Sequence, residues 1–342
     1  MPDLEKIASW YDDHKMFYDA FAKKMQDLLK TLVENENIPF HSITYRLKEK
    51  NSYLEKCNRK NYDNPIEEIT DFAGIRIIAY TTADVDKICS IIESEFLIDE
   101  LNSENKADLL ESDKVGYLSV HYIAGLSENR LSLKEYSRYI GLACEIQVRT
   151  LLQHAWAEIE HDRSYKFSGV LPENINRRFH LIAGVLEMMD SEFQRLSDEI
   201  DQYAEKVRKE TECGNLNIPL DTTSLIEYIS NKISNPTIIK NFNQGDKEII
   251  NELHAFGINS IKDLESLFSP EFCKFYNEFE GYTNYLGLLR SAMVLFDAKL
   301  YFEKVWNEDW MMYSEEEYKS WDQLGIDTSI VKEYMYNRPL PE

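Results

Sequence analysis

The sequence predicts an α/β fold, a mixed α+β sheet flanked by helices, followed by an all-helical C-terminal domain. Short β-branched runs such as "AGIRIIAYTT" and "LACEIQVRT" alternate with helical patterns through the first part of the chain. The polar, Gly- and Pro-bearing stretch "CGNLNIPLDTTS" then interrupts it, and only helical periodicity follows. The length of 342 residues is about twice that of a usual domain, which fits two units, 1–214 and 215–342.

Each element has its own signal. Residues 4–35 carry Phe17, Phe21, Met25, Leu28 and Leu32 at helical intervals, a lead-in helix that "NENIPFHS" ends. A second helix is expected over "YRLKEKNSYLEKCNRK", with Lys48, Ser52 and Lys56 stacked on one face. "ITDFAGIRIIAYTT" reads as a strand entered through Asp71 and Gly74, followed by a helix from Asp84 that carries Val85, Ile88, Ile91 and Ile92. "KVGYLSVHYIAGL" and "LACEIQVRT" are further strands, and a glutamate-rich helix occupies 180–212. Beyond it, "KEIINELHAFGINSIKDLESLFSPEF" reads as short helices around a Gly turn, before the long apolar helix "YLGLLRSAMVLFDAKLYF" and an aromatic tail.

Composition narrows the function classes. A hydrophobic fraction of 43% with 12% aromatic residues describes a packed protein. The net charge of -23 opposes nonspecific attachment to nucleic acid or anionic membrane. One basic patch runs against that excess: Arg46, Lys48, Lys50, Lys56, Arg59 and Lys60, with only Glu49 and Glu55 among them. Cys57, Cys89, Cys144, Cys213 and Cys273 show no metal or disulfide spacing and suit a reducing cytoplasm. The N-terminus has no apolar signal core and Arg290, Asp297 and Lys299 break the longest apolar helix, so a soluble cytoplasmic protein without membrane contact is expected.

Asp71 and Glu145 sit at strands among apolar neighbours, where an isolated carboxylate is costly unless a metal or a base compensates. Strand-borne acids beside a basic stripe are what magnesium-dependent phosphoryl or pyrophosphoryl transfer requires. Plainer readings exist for each: a basic run is ordinarily a solvated face, and an Asp before a Gly is a turn former. His154 and His161 lie seven apart on one helical face without an HExxH pattern, which argues against zinc. Tyr117 follows Gly116, which allows close backbone approach and a ring that stacks on a base.

Taken in order, these stretches resemble the synthetase domain of the RelA/SpoT alarmone synthetases. "YRLKEKNSYLEK" is similar to that family's R-x-K-x-x-x-S-x-x-x-K element, "DFAGIRII" to its D-x-x-G-x-R strand and "KVGYLSVHY" to its G-Y-x-S-x-H strand. "EIQVRT" and "HAWAEIEHDRSYK" resemble its E-x-Q-x-R-T and W-A-x-x-E-H-x-x-x-Y-K segments. The resemblance covers residues 40 to 167 and implies a nucleotidyltransferase-like synthetase domain. Its implied activity is a pyrophosphokinase that moves the β,γ-pyrophosphate of ATP to the ribose 3'-hydroxyl of GTP or GDP.

The resemblance assigns Arg46, Lys48, Ser52, Lys56 and Arg76 to the ATP phosphates and Asp71 to Mg2+. Glu145 is implied as a second metal ligand or as the base for the 3'-hydroxyl. Lys114, Tyr117, His121, Gln147 and Arg149 are implied on the acceptor side, with His154, Glu160, His161, Tyr165 and Lys166 in support. The chain has "ADLLESDKVGYLS" where many members have D-Y-I-x-x-P-K, and Leu118 where a basic residue is common. Only about 40 residues precede the match, so synthesis without a hydrolase activity is expected.

The alternative reading is a toxic enzyme of the same family, in a toxin-antitoxin or phage-defence setting. It would pyrophosphorylate adenosine nucleotides or the tRNA 3'-CCA end, with Arg177 and Arg178 helping to hold RNA and the C-terminal domain as antitoxin-like restraint. A nonenzymatic nucleotide sensor would need a degraded site, whereas both acids and the basic stripe are present. Residues 215–342 are expected to regulate the site, through Tyr334 or Tyr336 entering a nucleotide pocket. The oligomeric state stays open.

Overall fold

The computed structural model describes residues 4–59, 62, 64–105, 119–166, 172–235, 238–239, 246–281, 283–306, 318–319, 322–323, 325 and 328–336. The chain divides into two compact units, Met1–Ser197 and Asp198–Glu342. The division falls within a long helix, and the boundary expected after residue 214 lies just past that helix's end.

In the first unit, α1 (Leu4–Asn35) leads into β1 (Phe40–Leu47), α2 (Lys50–Arg59) and α3 (Pro65–Glu68). Next come β2 (Ala73–Ala79), α4 (Thr82–Glu95), β3 (Phe96–Ile98) and β4 (Glu104–Asn105). They are followed by β5 (Val120–Leu126), α5 (Glu128–Leu131), β6 (Ala143–Thr150), α6 (Leu151–Lys166) and α7 (Glu173–Glu212). The sheet order is β1-β2-β6-β5-β3, with β4 paired to β5. Only β2 and β6 run parallel, and the other pairs are antiparallel, which makes a mixed sheet.

The segment from Tyr45 to Lys60 corrects the sequence reading. Tyr45, Arg46 and Leu47 are the end of β1, paired with β2 from Ala73 to Ile75, and the helix begins only at Lys50. Phe40, Ile43, Tyr45 and Leu47 pack against the core, so cross-strand pairing and burial override the helical preference of the charged run behind them.

Period-two alternation divides the sheet into two faces. Ile75, Ile77 and Ala79 of β2, Ile146 and Val148 of β6, and Tyr122 and Ala124 of β5 point into a core shared with Phe21, Met25, Leu29 and Val33 of α1 and Val85, Ile88 and Ile92 of α4. Arg46, Arg76, Glu145, Gln147 and His121 stand in register on the other face: Arg46 opposite Gly74, Gly74 beside Glu145, Arg76 beside Gln147, and Gln147 opposite His121. At the barrier between β5 and β6, Gly125 is needed for close approach, because a Cβ there would stand 2.8 Å from the Leu142 carbonyl oxygen.

The second unit is helical: α8 (Thr222–Lys232), α9 (Asp246–Phe256), α10 (Ile261–Glu265), α11 (Pro270–Glu278), α12 (Tyr285–Lys304) and α13 (Thr328–Tyr336). A two-residue parallel pair, β7 (Ile238–Ile239) with β8 (Thr283–Asn284), and an isolated antiparallel bridge between Pro219 and Ser260 are departures from an all-helical unit. Gly257 makes the turn after α9 at φ +103°, a conformation that favours glycine. Leu225, Tyr228, Leu253, Phe272, Leu288 and Tyr301 centre a separate core.

Candidate active site

The end of β1 and the start of β2 meet where the Lys48 amide donates to the Phe72 carbonyl at 2.9 Å. That bond sets Lys48, just past β1, opposite Asp71, just before β2. Beneath them Phe72 is buried among Trp10, Tyr11, Tyr18 and Tyr53, with ring centroids 4.5 to 5.6 Å from its own. The Tyr11 hydroxyl also donates to the Lys48 carbonyl at 2.9 Å. A rigid aromatic floor from α1 and α2 therefore fixes the backbone that carries Lys48 and Asp71.

Asp71 Oδ2 takes an ion pair from Lys48 and another from Lys56 of α2, the latter at 2.8 Å. Burial raises the Asp71 carboxyl, but the two lysine donors outweigh it and hold it below the usual carboxylate range. On the neighbouring strand, Glu145 Oε1 lies 3.1 Å from His121 Nδ1, and its Oε2 accepts from Gln147 Nε2 at 2.8 Å. Burial pushes Glu145 up and the nearby Asp71 charge adds to this, yet His121 and Gln147 bring it below its ordinary value. Both acids are thus ionised at neutral pH.

Asp71, Lys48, Lys56, Glu145 and Gln147 line one cavity of about 580 Å3, together with Arg46, Ser52, Arg59, Gly74, Arg76, Glu49, Glu55 and His161. All of its lining residues fall in the first unit. Gly74 keeps its floor low; a Cβ there would stay 3.9 Å from the Glu145 carbonyl and so would intrude on the cavity rather than the strand.

A second polar cluster closes one wall. Glu158 of α6 pairs with Arg76 at 2.8 Å and stands 3.7 Å from Arg149 and 3.9 Å from His154. Burial lowers the pKa of Arg46, and Arg76 and Arg149 add to this while Glu158 and Glu145 oppose it. Burial and Arg149 likewise lower the His154 imidazole. Arg149 is buried in this cluster, beside the cations expected to hold ATP phosphates.

The structure thus brings together Arg46, Lys48, Ser52, Lys56, Asp71, Arg76, Glu145, Gln147 and His161 at the cavity, with His121 behind Glu145 and with Arg149 and His154 behind Arg76. Glu160 lies on α6 but does not line the cavity. Lys114, Tyr117 and Leu118, and the side chains of Tyr165 and Lys166, lie outside the described residues. Glu158 was missed by sequence reasoning; its signal was the i, i+4 spacing from His154 on one helical face. The aromatic floor was also missed, because Trp10, Tyr11, Tyr53 and Phe72 converge from three separate segments.

A metal fits the donor set. Asp71 Oδ1 is buried and has no hydrogen-bond partner among the described residues, and two carboxylates beside phosphate-binding cations suit Mg2+, which takes few protein ligands. Among the described residues no group of three or more His, Cys, Asp or Glu side chains could hold a metal. All five cysteines are unpaired. Among the described residues no helix is long and apolar enough to cross a membrane. The Tyr334 ring stacks on Phe302 with centroids 5.0 Å apart, against the second unit's core. The Tyr336 side chain lies outside the described residues.

Comparison with known proteins meets this geometry. The family model for the region found in RelA / SpoT proteins matches residues 45–170. The GTP pyrophosphokinase YjbM of Bacillus subtilis (strain 168) is 30% identical over 171 residues, which span 49% of this chain and 77% of that protein. The GTP pyrophosphokinase YwaC of the same organism is 25% identical over 212 residues, 59% of this chain and 97% of that protein. Among solved structures, small alarmone synthetase 1 from Bacillus subtilis is similar at 27% identity and a TM-score of 0.47, over 57% of this chain and 98% of that one. The chain belongs to the RelA/SpoT family, and its first unit is a GTP pyrophosphokinase-like enzyme.

Proposed function

We propose that this protein transfers the β,γ-pyrophosphate of ATP to the ribose 3'-hydroxyl of GTP or GDP, making (p)ppGpp and releasing AMP. The observation that carries the reading is the pairing of Asp71 with Lys48 and Lys56 in the same cavity as the ionised Glu145. In the absence of nucleotide the lysines neutralise Asp71; the phosphates of ATP offer them a second anionic partner. Arg46, Ser52 and Arg76 complete the phosphate cradle. Asp71, through its unpartnered Oδ1, would hold magnesium, which when bound neutralises charge on the transferring group.

Glu145 takes the proton of the acceptor hydroxyl as that oxygen bonds to the β-phosphorus. The bond from the β-phosphorus to the α,β-bridging oxygen breaks, and AMP leaves with that oxygen. His121 Nδ1 and Gln147 hold the two Glu145 oxygens and so fix which lone pair meets the hydroxyl. The relatives' names as GTP pyrophosphokinases support a guanosine acceptor. The test is thin-layer resolution of labelled products from ATP with GDP or GTP, for the wild type and for Glu145→Gln. A guanosine 3'-pyrophosphate formed by the wild type and lost in the variant is expected; equal product from both would overturn the role of Glu145.

A further inference from the structure

The face of α7 that packs inward is polar where it need not be. Ala183, Leu186, Asp190 and Gln194 recur at helical spacing, and Asp190 is only 3% exposed. Asp190 Oδ2 accepts a hydrogen bond from Thr150 Oγ1 at 2.7 Å, and Thr150 is itself fully buried. A carboxyl in such a place is unfavourable unless it holds something in return. Burial pushes its pKa up, and the Thr150 hydroxyl only partly counters this.

What it holds is the junction between β6 and α6. The Thr150 hydroxyl accepts from the Gln153 amide at 3.2 Å while the Thr150 amide donates to Gln153 Oε1 at 3.0 Å, a reciprocal cap on the first turn of α6. Two turns along the same helix stands Glu158, 2.8 Å from Arg76. A second tie steadies α6 from the side, where Trp156 Nε1 donates to the Phe179 carbonyl of α7 at 3.0 Å. Gln194, one turn beyond Asp190, accepts from the Ala83 amide at 2.8 Å and so clasps the first turn of α4. One face of α7 therefore anchors the starts of both helices that follow the parallel strands β2 and β6.

We propose that Asp190 is a positioning residue for the transfer site: by holding the Thr150 hydroxyl it fixes α6, and through Glu158 it sets the orientation in which Arg76 meets the ATP phosphates. Asp190 does not line the cavity, so it acts only through this chain of contacts. The inference rests on the pyrophosphate-transfer reading above.

The test uses the full chain. The KM for ATP, kcat and the thermal transition are measured for the wild type, Asp190→Ala, Asp190→Asn, Glu158→Gln and the double variant Asp190→Ala/Glu158→Gln. Asp190→Ala is expected to raise the KM for ATP about tenfold, the scale of one broken buried hydrogen bond, with kcat much less changed. Asp190→Asn, whose amide oxygen still accepts from Thr150, should stay near the wild type. The double variant should be no worse than the worse single one, since both act through Arg76. An unchanged KM in folded Asp190→Ala, or fully additive effects in the double variant, overturns the proposal. If Asp190→Ala does not fold, Asp190→Glu carries the same expectation, because it keeps the carboxyl but displaces Thr150 by one methylene. An inactive wild type sinks the transfer reading and this inference with it; an active wild type with an indifferent Asp190 sinks the inference alone.

Discussion

Asp71 is an acid whose charge is already spent on two lysines, and this decides how its substitution should behave. Asp71→Asn removes the candidate magnesium ligand and leaves Lys48 and Lys56 without their counter-ion. Transfer should fall by at least about a thousandfold, at the upper end of what losing one transition-state electrostatic contact costs. The folded-state pKa of Asp71 is depressed. Its contribution to stability is therefore fully present above the unfolded carboxylate pKa of about 3.9 and is lost as pH falls through the lower folded value. Urea titrations should accordingly show a constant stability gap between wild type and Asp71→Asn from pH 7 to about 5, closing only in stronger acid. A gap that persists undiminished into strong acid would contradict the ion pairs. Glu145→Gln should lower kcat by about a hundredfold or more while the KM for ATP changes little, because general-base assistance is a term of that size; steady-state kinetics with ATP varied separates the two effects.

At the scale of elements, the aromatic floor should matter as much as the charges it supports. Phe72→Ala empties the space among Trp10, Tyr11, Tyr18 and Tyr53 and should destabilise the first unit by about 3 to 5 kcal/mol, read by thermal or urea unfolding. Much of the site was legible in the sequence because Arg76, Glu145 and Gln147 stand on strands whose alternation is plain, Asp71 leads into one of them, and their spacing fits a known family. The charged run after Tyr45 was misread as helix throughout, since its residue types favour helix and only pairing with β2 shows that Arg46 belongs to a strand. Glu158 and Asp190 were hidden for another reason. Their partners, Arg76 and Thr150, lie 82 and 40 residues away in sequence, so no local pattern links them. One side of α7 is apolar, with Ile182, Val185, Met189, Phe193 and Leu196 all about half exposed.

Over the whole molecule, two units with separate cores should melt as two transitions. Glu252→Ala leaves the Arg290 guanidinium of the second unit buried without its carboxylate and should cost about 3 to 5 kcal/mol there. Calorimetry should then show one transition lowered by Glu252→Ala and the other by Phe72→Ala; a single transition that both variants shift would contradict independent cores. The cavity draws all its lining from the first unit, so the proposed transfer is that unit's chemistry. The most direct test is to supply γ-labelled ATP and magnesium to the full chain, with GDP, GTP, ADP and uncharged tRNA offered in parallel. Label on the 3' position of a guanosine nucleotide, abolished by Asp71→Asn, is expected; label on tRNA or on an adenosine nucleotide with none on guanosine, or none anywhere, would contradict the proposed transfer.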